Sequence, residues 1–221
     1  MAAGQVGGRL GPMVRDGEIR EAAFTPAARL EFWAKSRLLI LARALRDLGR
    51  PPGFAGRGQH FRGTLAPLAE SRSPLYAPVD PAEETLQLGK VENLRVAARH
   101  LDGLVIRRGQ VFSFWHQVGR PSRRRGFVPG RELRHGCIIP SIAGGICQMS
   151  NSLHQVARRA GQDIIERHGH TSPVPGSAFP PGEDATLFWN YIDFRFRATR
   201  DLVLRIELTA DELVVTLGVP S

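Results

Sequence analysis

The segment Gly144-Gly145-Ile146-Cys147-Gln148 joins a flexible turn to a nucleophile, which makes it the part of the chain best suited to chemistry. An apolar stripe at helical spacing follows the turn, so Cys147 should stand at the N-terminus of a helix. Unpaired amides and the helix dipole stabilise a thiolate there. The glycines allow close backbone approach to a substrate, and the amide of Gln148 or of Cys147 itself is expected to face a developing oxyanion.

A cysteine nucleophile needs a base, and two nearby histidines are the candidates. His170 is the preferred base, His168 is the second choice, and Asp184 is the expected orienting carboxylate. Together with Cys147 these residues predict a cysteine-dependent acyl transferase or hydrolase. The competing interpretation is that Cys147 only packs in the core, since free cysteine is among the most buried residue types.

The loop 119–136 is the densest basic stretch and the second candidate site. Guanidinium groups bind phosphate and carboxylate oxygens in bidentate fashion, whereas the competing interpretation is a solvated surface loop. The loop has no helix-turn-helix or zinc-finger pattern, so nucleic acid is not an expected partner. The predicted ligand contacts are Arg120, Arg123, Arg124, Arg125, Gly144 and Gly145.

Composition narrows the class of protein. A net charge of +9, from 30 Lys and Arg against 21 Asp and Glu, favours anionic partners. The two cysteines, Cys137 and Cys147, exclude a disulfide scaffold and leave open one bridge between them. Paired Cys-x-x-Cys or His-Glu-x-x-His motifs are absent from the sequence, so neither a metal site nor a cofactor is expected.

The hydropathy of the sequence predicts the cellular location of the protein. The first twenty residues lack the apolar core of a secretory signal, and Arg43 and Arg46 interrupt the longest apolar stretch. We therefore expect a cytoplasmic protein, with a peripheral contact at the inner face of the membrane as the alternative to a fully soluble one.

Four segments are predicted along the chain. Residues 1–24 mix glycine, alanine and charge without a period and should be a frayed terminus. Residues 25–50 form an amphipathic helix that begins at Thr25-Pro26 and carries a leucine stripe, which should pack on the body of the protein; an anionic membrane is the alternative partner. Residues 51–89 are rich in proline and glycine and indicate a linker or wrapping segment.

The main domain is predicted over residues 90–221. A helix is expected at 92–101, strands at 104–106 and 110–114, and a further helix from the glycine turn to Gly161. Alternating apolar residues predict several strands in the last sixty residues. The expected fold is α+β, with an antiparallel sheet packed against a few helices.

Eight separated motifs in this domain resemble the VanW family, over about residues 90 to 209. The family commonly has three glycines before Ile-Cys, where this chain has Ala143 in the first position. Its Glu-Arg motif followed by histidine maps onto Glu166, Arg167 and His170. In chain order the motifs are Asn93-Leu94-Arg95, Gly109-Gln110-Val111-Phe112-Ser113-Phe114, Gly119-Arg120-Pro121, Gly126-Phe127, Gly144-Gly145-Ile146-Cys147-Gln148, Glu166-Arg167-His168-Gly169-His170, Asp184-Ala185-Thr186 and Ile192-Asp193-Phe194.

The resemblance implies a role in cell-envelope or glycopeptide-resistance biology and defines no activity. Two functions follow from it and from the residues above. The first is acyl transfer or hydrolysis at a peptidoglycan-related amide by Cys147. The second is a non-catalytic module whose arginine-rich loop holds an anionic envelope ligand, such as a lipid-linked wall precursor. The enzyme needs the Cys147 sulfur close to an imidazole in an accessible cleft.

Overall fold

A computed structural model describes residues 26–49, 53–58, 60–77, 81–134, 137–169, 179 and 182–221. The helices within these ranges are α1 (Pro26–Gly49), α2 (Glu84–Leu101), α3 (Phe114–Val118) and α4 (Cys147–Arg159). The strands are β1 (Leu65–Pro74), β2 (Val105–Ile106), β3 (Val111–Ser113), β4 (Pro129–Arg134), β5 (Cys137–Ile142), β6 (Asp163–Glu166), β7 (Arg195–Arg197), β8 (Leu202–Leu208) and β9 (Glu212–Pro220).

The strands form three antiparallel groups. A four-stranded sheet has the order β1-β9-β8-β2, a three-stranded sheet has the order β3-β7-β6, and β4 pairs with β5 as a hairpin. The predicted α+β fold with antiparallel sheets packed against helices is therefore confirmed.

The core is built from the apolar faces that the sequence periods predict. In β8 and β9 the residues Leu204 and Leu217 are fully buried, and they pair with each other across the sheet. Leu94 of α2 and Leu153 of α4 are equally buried in the same cluster. Each such side chain contributes roughly 1.5–3 kcal/mol of transfer free energy, so α2 and α4 are held firmly against the sheets.

Part of the predicted linker is a strand. Leu65–Pro74 forms β1, which pairs with β9 at the far end of the chain. The prolines that suggested a linker are compatible with a strand because β1 lies at the edge of its sheet. The register shifts between Pro67 and Ala69, as expected where proline interrupts the ladder.

Helix α2 begins at Glu84 rather than at the predicted position 92. The sequence pattern missed the first half of the helix because that half contains a glycine. Gly89 is required by packing: a β-carbon there would lie 2.0 Å from the Pro129 carbonyl oxygen of β4. The strand predicted over 110–114 ends at Ser113, whose hydroxyl accepts a hydrogen bond from His116 N at 3.0 Å and caps α3. The predicted loop 119–136 contains β4.

Helix α1 spans the predicted residues, but its orientation is the reverse of the expected one. Its leucine stripe points to solvent, with Leu38 68% and Leu48 80% exposed, so the prediction that the stripe packs on the body is wrong. The opposite face is the attached one: Arg43 donates to both carboxylate oxygens of Glu166, and Phe32 lies edge-on to Phe188 at 5.6 Å between ring centroids. None of the described helices is long and apolar enough to cross a membrane.

Candidate active site around Cys147

Cys147 is the first residue of α4, as predicted, and a strained turn leads into it. Gly145 has a φ of +85° and Ala143 a φ of +64°, both in the left-handed region. The β-carbon of Ala143 makes this conformation unfavourable. The side chain of Cys147 is partly buried against the core and partly exposed.

Close packing explains the two glycines of the turn. A β-carbon at Gly144 would lie 2.2 Å from the carbonyl oxygen of Gly130 in β4, and one at Gly145 would lie 2.2 Å from Lys90 Cγ in α2. The turn is thus wedged between a strand backbone and a lysine stem. A role of these glycines in ligand binding stays a prediction.

The hydrogen bonds of the turn single out the Cys147 amide. The amides at positions 146, 148 and 149 each donate to the carbonyl oxygen three residues earlier, at 3.0 to 3.3 Å. The corresponding bond from the Cys147 amide to the Gly144 oxygen is missing. The Gly144 oxygen instead accepts a hydrogen bond from Asn93 Nδ2 at 3.0 Å. Within the described part of the chain, the Cys147 amide therefore has no recorded acceptor.

Gln148 makes hydrogen bonds within the turn and to β1. Its amide already donates to the Gly145 oxygen at 3.2 Å, so it does not face an open site. Its side-chain Nε2 donates to Ser73 Oγ at 2.9 Å and to the Pro74 oxygen at 2.8 Å. Gln148 thus ties α4 to β1, and of the two predicted oxyanion donors only the Cys147 amide is left.

A segment at 183–187 lies along α4 and covers the cysteine. Ser150 Oγ donates to the Ala185 oxygen, and Asn151 Oδ1 accepts from the Ala185 amide at 2.6 Å. These two bonds place Thr186 Oγ1 at 3.8 Å from Cys147 Sγ. A hydroxyl therefore lies within hydrogen-bond distance of the sulfur.

The predicted carboxylate and the histidine segment adjoin this covering segment. The Thr186 amide donates to the His168 oxygen at 2.7 Å, and Arg167 Nε donates to the Asp184 oxygen at 2.7 Å. Asp184 Oδ1 lies 3.4 Å from where a β-carbon of Gly169 would stand. The structure thus brings Cys147, Asp184 and the backbone of the histidine segment together.

The two histidines differ. The His168 ring is exposed, with Nε2 at 3.3 Å from Glu166 Oε1, so its recorded partner is a carboxylate rather than the sulfur. His170, the preferred base, lies outside the described residues. The pairing of an imidazole with Cys147 therefore stays a prediction.

Glu166 and Asp193 belong to an ion-pair network that holds α1 on the domain. Burial raises the pKa of Glu166, but hydrogen bonds and charge from Arg43 outweigh it and hold that pKa below its usual value. Asp193 is completely buried, and burial raises its pKa. Arg195 bridges the network, since its Nε donates to Asp193 Oδ2 at 2.7 Å and its Nη2 to Asp47 Oδ2 at 2.7 Å. Glu166 is thus an ion-pair residue.

The arginine-rich loop lies at another surface. Arg125 Nη2 donates to the Val118 oxygen at 2.6 Å and lies 3.3 Å from His100 Nε2. Arg57 and His60 join these two residues around a polar cavity of about 220 Å³. The other predicted loop ligands, Arg120, Arg123 and Arg124, are exposed. Anion binding by this loop stays a prediction, and no cluster of metal-ligating side chains occurs among the residues with described positions.

Comparison with known proteins shows which family carries these motifs. The model of the VanW like protein family matches residues 89–219. The chain belongs to this family. It is 34% identical over 148 residues to the vancomycin B-type resistance protein VanW of Enterococcus faecalis, covering 66% of the chain and 54% of that protein. It is 33% identical over 127 residues to the uncharacterized protein YoaR of Bacillus subtilis, covering 57% of the chain and 41% of that protein.

The VanW-like chain thus spans about half the length of these relatives. No solved structure matches it significantly. Three residues near the VanW-like cysteine were not predicted from the sequence as site residues, namely Lys90, Asn93 and Thr186. Asn93 and Thr186 lie in motifs of the resemblance, which was the available signal. Lys90 carried none beyond being one of two lysines.

Proposed function

We propose that this protein is a cysteine-dependent acyl transferase or hydrolase acting on an amide of a peptidoglycan-related substrate. The observation that supports it is the partly exposed Cys147 at the start of α4, with its own amide left without an acceptor in the described turn. The similarity to a vancomycin B-type resistance protein supports a substrate from the cell envelope.

The proposed reaction consists of two successive acyl transfers, first to Cys147 and then from it. The Cys147 sulfur attacks the amide carbonyl carbon, a carbon–sulfur bond forms, and the carbon–nitrogen bond breaks. The base takes the thiol proton and returns it to the leaving amine. Water or a second amine then attacks the thioester and releases the thiol.

The surrounding groups support each part of this scheme. The Cys147 amide and the N-terminal dipole of α4 stabilise the oxyanion on the carbonyl oxygen. Thr186 Oγ1, at 3.8 Å from the sulfur, orients the thiol. We assign the base to His170 from the sequence motif, and Asp184, whose Oδ1 pairs with Arg167 Nη2 at 3.3 Å, is the candidate orienting carboxylate.

The test is selective alkylation of Cys147 near neutral pH. The Cys137→Ser variant isolates Cys147, and the Cys147→Ser variant isolates Cys137. We expect iodoacetamide to modify Cys147 about tenfold faster than Cys137, because Cys147 is partly exposed at the N-terminus of α4, where backbone amides stabilise the negative charge of an attacking sulfur. Mass spectrometry of the folded protein over time gives both rates.

His170→Ala and His168→Ala form the matched pair for the base. We expect the first to slow Cys147 alkylation and to flatten its pH dependence, and the second to leave both unchanged, because the His168 ring faces Glu166. If Cys147 reacts no faster than Cys137, or if both histidine variants behave alike, the proposal is wrong.

A further inference from the structure

Lys90 is held against the turn that begins α4. It is only 9% exposed, and a β-carbon at Gly145 would lie 2.2 Å from its Cγ and 3.0 Å from its Cδ. Gly145 therefore leaves the space through which the lysine stem passes. The stem crosses the turn two residues before Cys147.

The Lys90 side chain is mostly buried, and no opposite charge lies beside its ammonium group among the described residues. Among the described residues no carboxylate pairs with it and no oxygen accepts a hydrogen bond from it. Burial, followed by the nearby charge of Arg131, lowers the pKa of Lys90 to about 8. A buried cation next to another cation is costly unless an anion compensates it.

Arg131 has an unused donor at the same place. Its Nη2 pairs with Glu83 Oε2 at 2.7 Å, but its Nε is buried and has no hydrogen-bond partner within the described structure. Arg131 follows Gly130, whose carbonyl oxygen touches Gly144 of the turn. A lysine without an ion-pair partner and an arginine with an unpaired Nε thus flank the N-terminal turn of a helix, which itself attracts negative charge.

We propose that Lys90 and Arg131 bind an oxyanion, a carboxylate or a phosphate, at the N-terminal turn of α4. The Lys90 ammonium and the Arg131 Nε–H would both donate to its oxygens. Binding itself does not depend on catalysis. The assignment of this oxyanion to the substrate, which it would orient over Cys147, rests on the proposed function.

The chain offers a direct test because Lys35 and Lys90 are its only lysines. Protein made with isotope-labelled lysine gives two side-chain NMR signals, and their pH titrations report each pKa. The probes are N-acetyl-D-alanyl-D-alanine, its C-terminal amide, and inorganic phosphate. We expect the dipeptide acid or phosphate to raise the pKa of Lys90 by about one unit or more, which corresponds to about tenfold tighter binding to the protonated form.

The controls separate this site from catalysis. Lys90→Met keeps the stem and removes the charge, and it should abolish probe binding, whereas Lys35→Met should retain it. Cys147→Ser should retain the Lys90 response, so an inert cysteine would leave this inference standing. A response to the dipeptide acid supports a substrate carboxylate, and a response to phosphate alone supports a phosphate-bearing ligand. A shift with the amide as large as the one with the acid, equal shifts of both lysines, or no shift with any probe would overturn the site.

The outer face of α1 carries a second, independent inference. Five leucines, here called the leucine face, are between 55% and 80% exposed on one side of this helix. They are Leu30, Leu38, Leu41, Leu45 and Leu48. Contiguous exposed apolar surface of this kind is uncommon on a soluble protein and marks an interaction site.

Charge around the leucine face indicates the partner. Lys35, Arg37 and Arg46 are exposed on the helix, and the Arg37 guanidinium stands 5.4 Å from the centre of the Trp33 ring. Glu31 is exposed too, but it is paired with Lys35. A second copy would bring like charges together, whereas anionic headgroups would pair with these cations while the leucines enter the acyl boundary.

We infer that the leucine face docks on an anionic lipid surface. The remaining contacts of α1 fit this orientation, because Arg43 and Asp47 on its other face hold the helix to the domain. The domain would then lie beneath the helix at the bilayer surface.

Cosedimentation with lipid vesicles tests the docking. The variant combines Leu38→Glu, Leu41→Glu and Leu45→Glu, and the matched control is Leu88→Glu, since Leu88 is 61% exposed on α2. The unsubstituted protein and the control should bind vesicles of phosphatidylglycerol mixed with phosphatidylcholine more strongly than they bind vesicles of phosphatidylcholine alone. The triple variant should lose about a hundredfold or more in partitioning.

Three outcomes would overturn the docking. In the first, the unsubstituted protein binds neither kind of vesicle. In the second, the triple variant binds vesicles as well as the control does. In the third, sedimentation equilibrium shows that the unsubstituted protein is a dimer and the triple variant a monomer, and neither binds lipid. Circular dichroism of both variants checks that these exposed substitutions leave the fold intact.

Discussion

Replacing Asp193 by alanine should lower the free energy of unfolding by about 3–5 kcal/mol, because a buried ion pair would lose one partner. Asp193 is completely buried and accepts four hydrogen bonds. The donors are Ser113 Oγ at 2.6 Å, Arg195 Nε at 2.7 Å, the Phe194 amide at 2.9 Å and the Trp115 amide at 3.1 Å. All four would lose their acceptor where water cannot replace it.

Chemical denaturation and calorimetry measure this effect, and a fall in melting temperature of roughly 6–20 °C is expected for a domain of this size. Asp201→Ala is the matched control. That carboxylate also accepts two hydrogen bonds, from the Arg108 amide and Arg107 Nη1, but it is exposed, so its loss should cost far less. Similar losses for the two variants would contradict the network. Because Arg195 also holds Asp47, Asp193→Ala should loosen α1 as well.

Gly144→Ala should lower the free energy of unfolding by about 2–3 kcal/mol and change the reactivity of Cys147. The added β-carbon would lie 2.2 Å from the Gly130 oxygen, 2.4 Å from its carbonyl carbon and 2.9 Å from the Arg131 amide nitrogen. All three are backbone atoms, so a change of rotamer cannot relieve the clash. The turn must move, and the bond from Asn93 to the Gly144 oxygen must lengthen.

Denaturant unfolding and the alkylation rate of Cys147 give the two readouts. Gly49→Ala is the control, since a β-carbon there would meet nothing within 4 Å and the substitution should be nearly neutral. If Gly144→Ala is as stable as this control, the hairpin and the turn are not packed as described. If it is destabilised but the alkylation rate is unchanged, the turn does not set the reactivity of Cys147.

Local patterns predicted the elements that depend on local physics. The apolar stripe after the glycine turn predicted α4 and the place of Cys147 at its start, and alternation predicted β8 and β9. Sequence patterns failed to predict elements whose structure depends on contacts with residues far away along the chain. β1 is a strand because β9 pairs with it, and the first half of α2 is helical around Gly89 because β4 packs there.

The candidate site divides in the same way. The sequence motifs identified Cys147 and Asp184, and the structure brings both to one place through Thr186 and the segment 183–187. Sequence reasoning chose the amide of Gln148 as an oxyanion donor, which the turn has already engaged. It could not choose Lys90, because the burial of a lysine depends on which glycine lies opposite it.

The sequence by itself determined that a cysteine would begin a helix after a glycine turn, since helical period and turn residues act over a few positions along the chain. It also determined that α1 would carry a leucine stripe. Only the tertiary structure decided which face of α1 meets the domain, which amide of the turn stays open and which lysine packs against Gly145. Those outcomes depend on ion pairs and close contacts between residues far apart in sequence, such as Arg43 with Glu166 and Asn93 with Gly144.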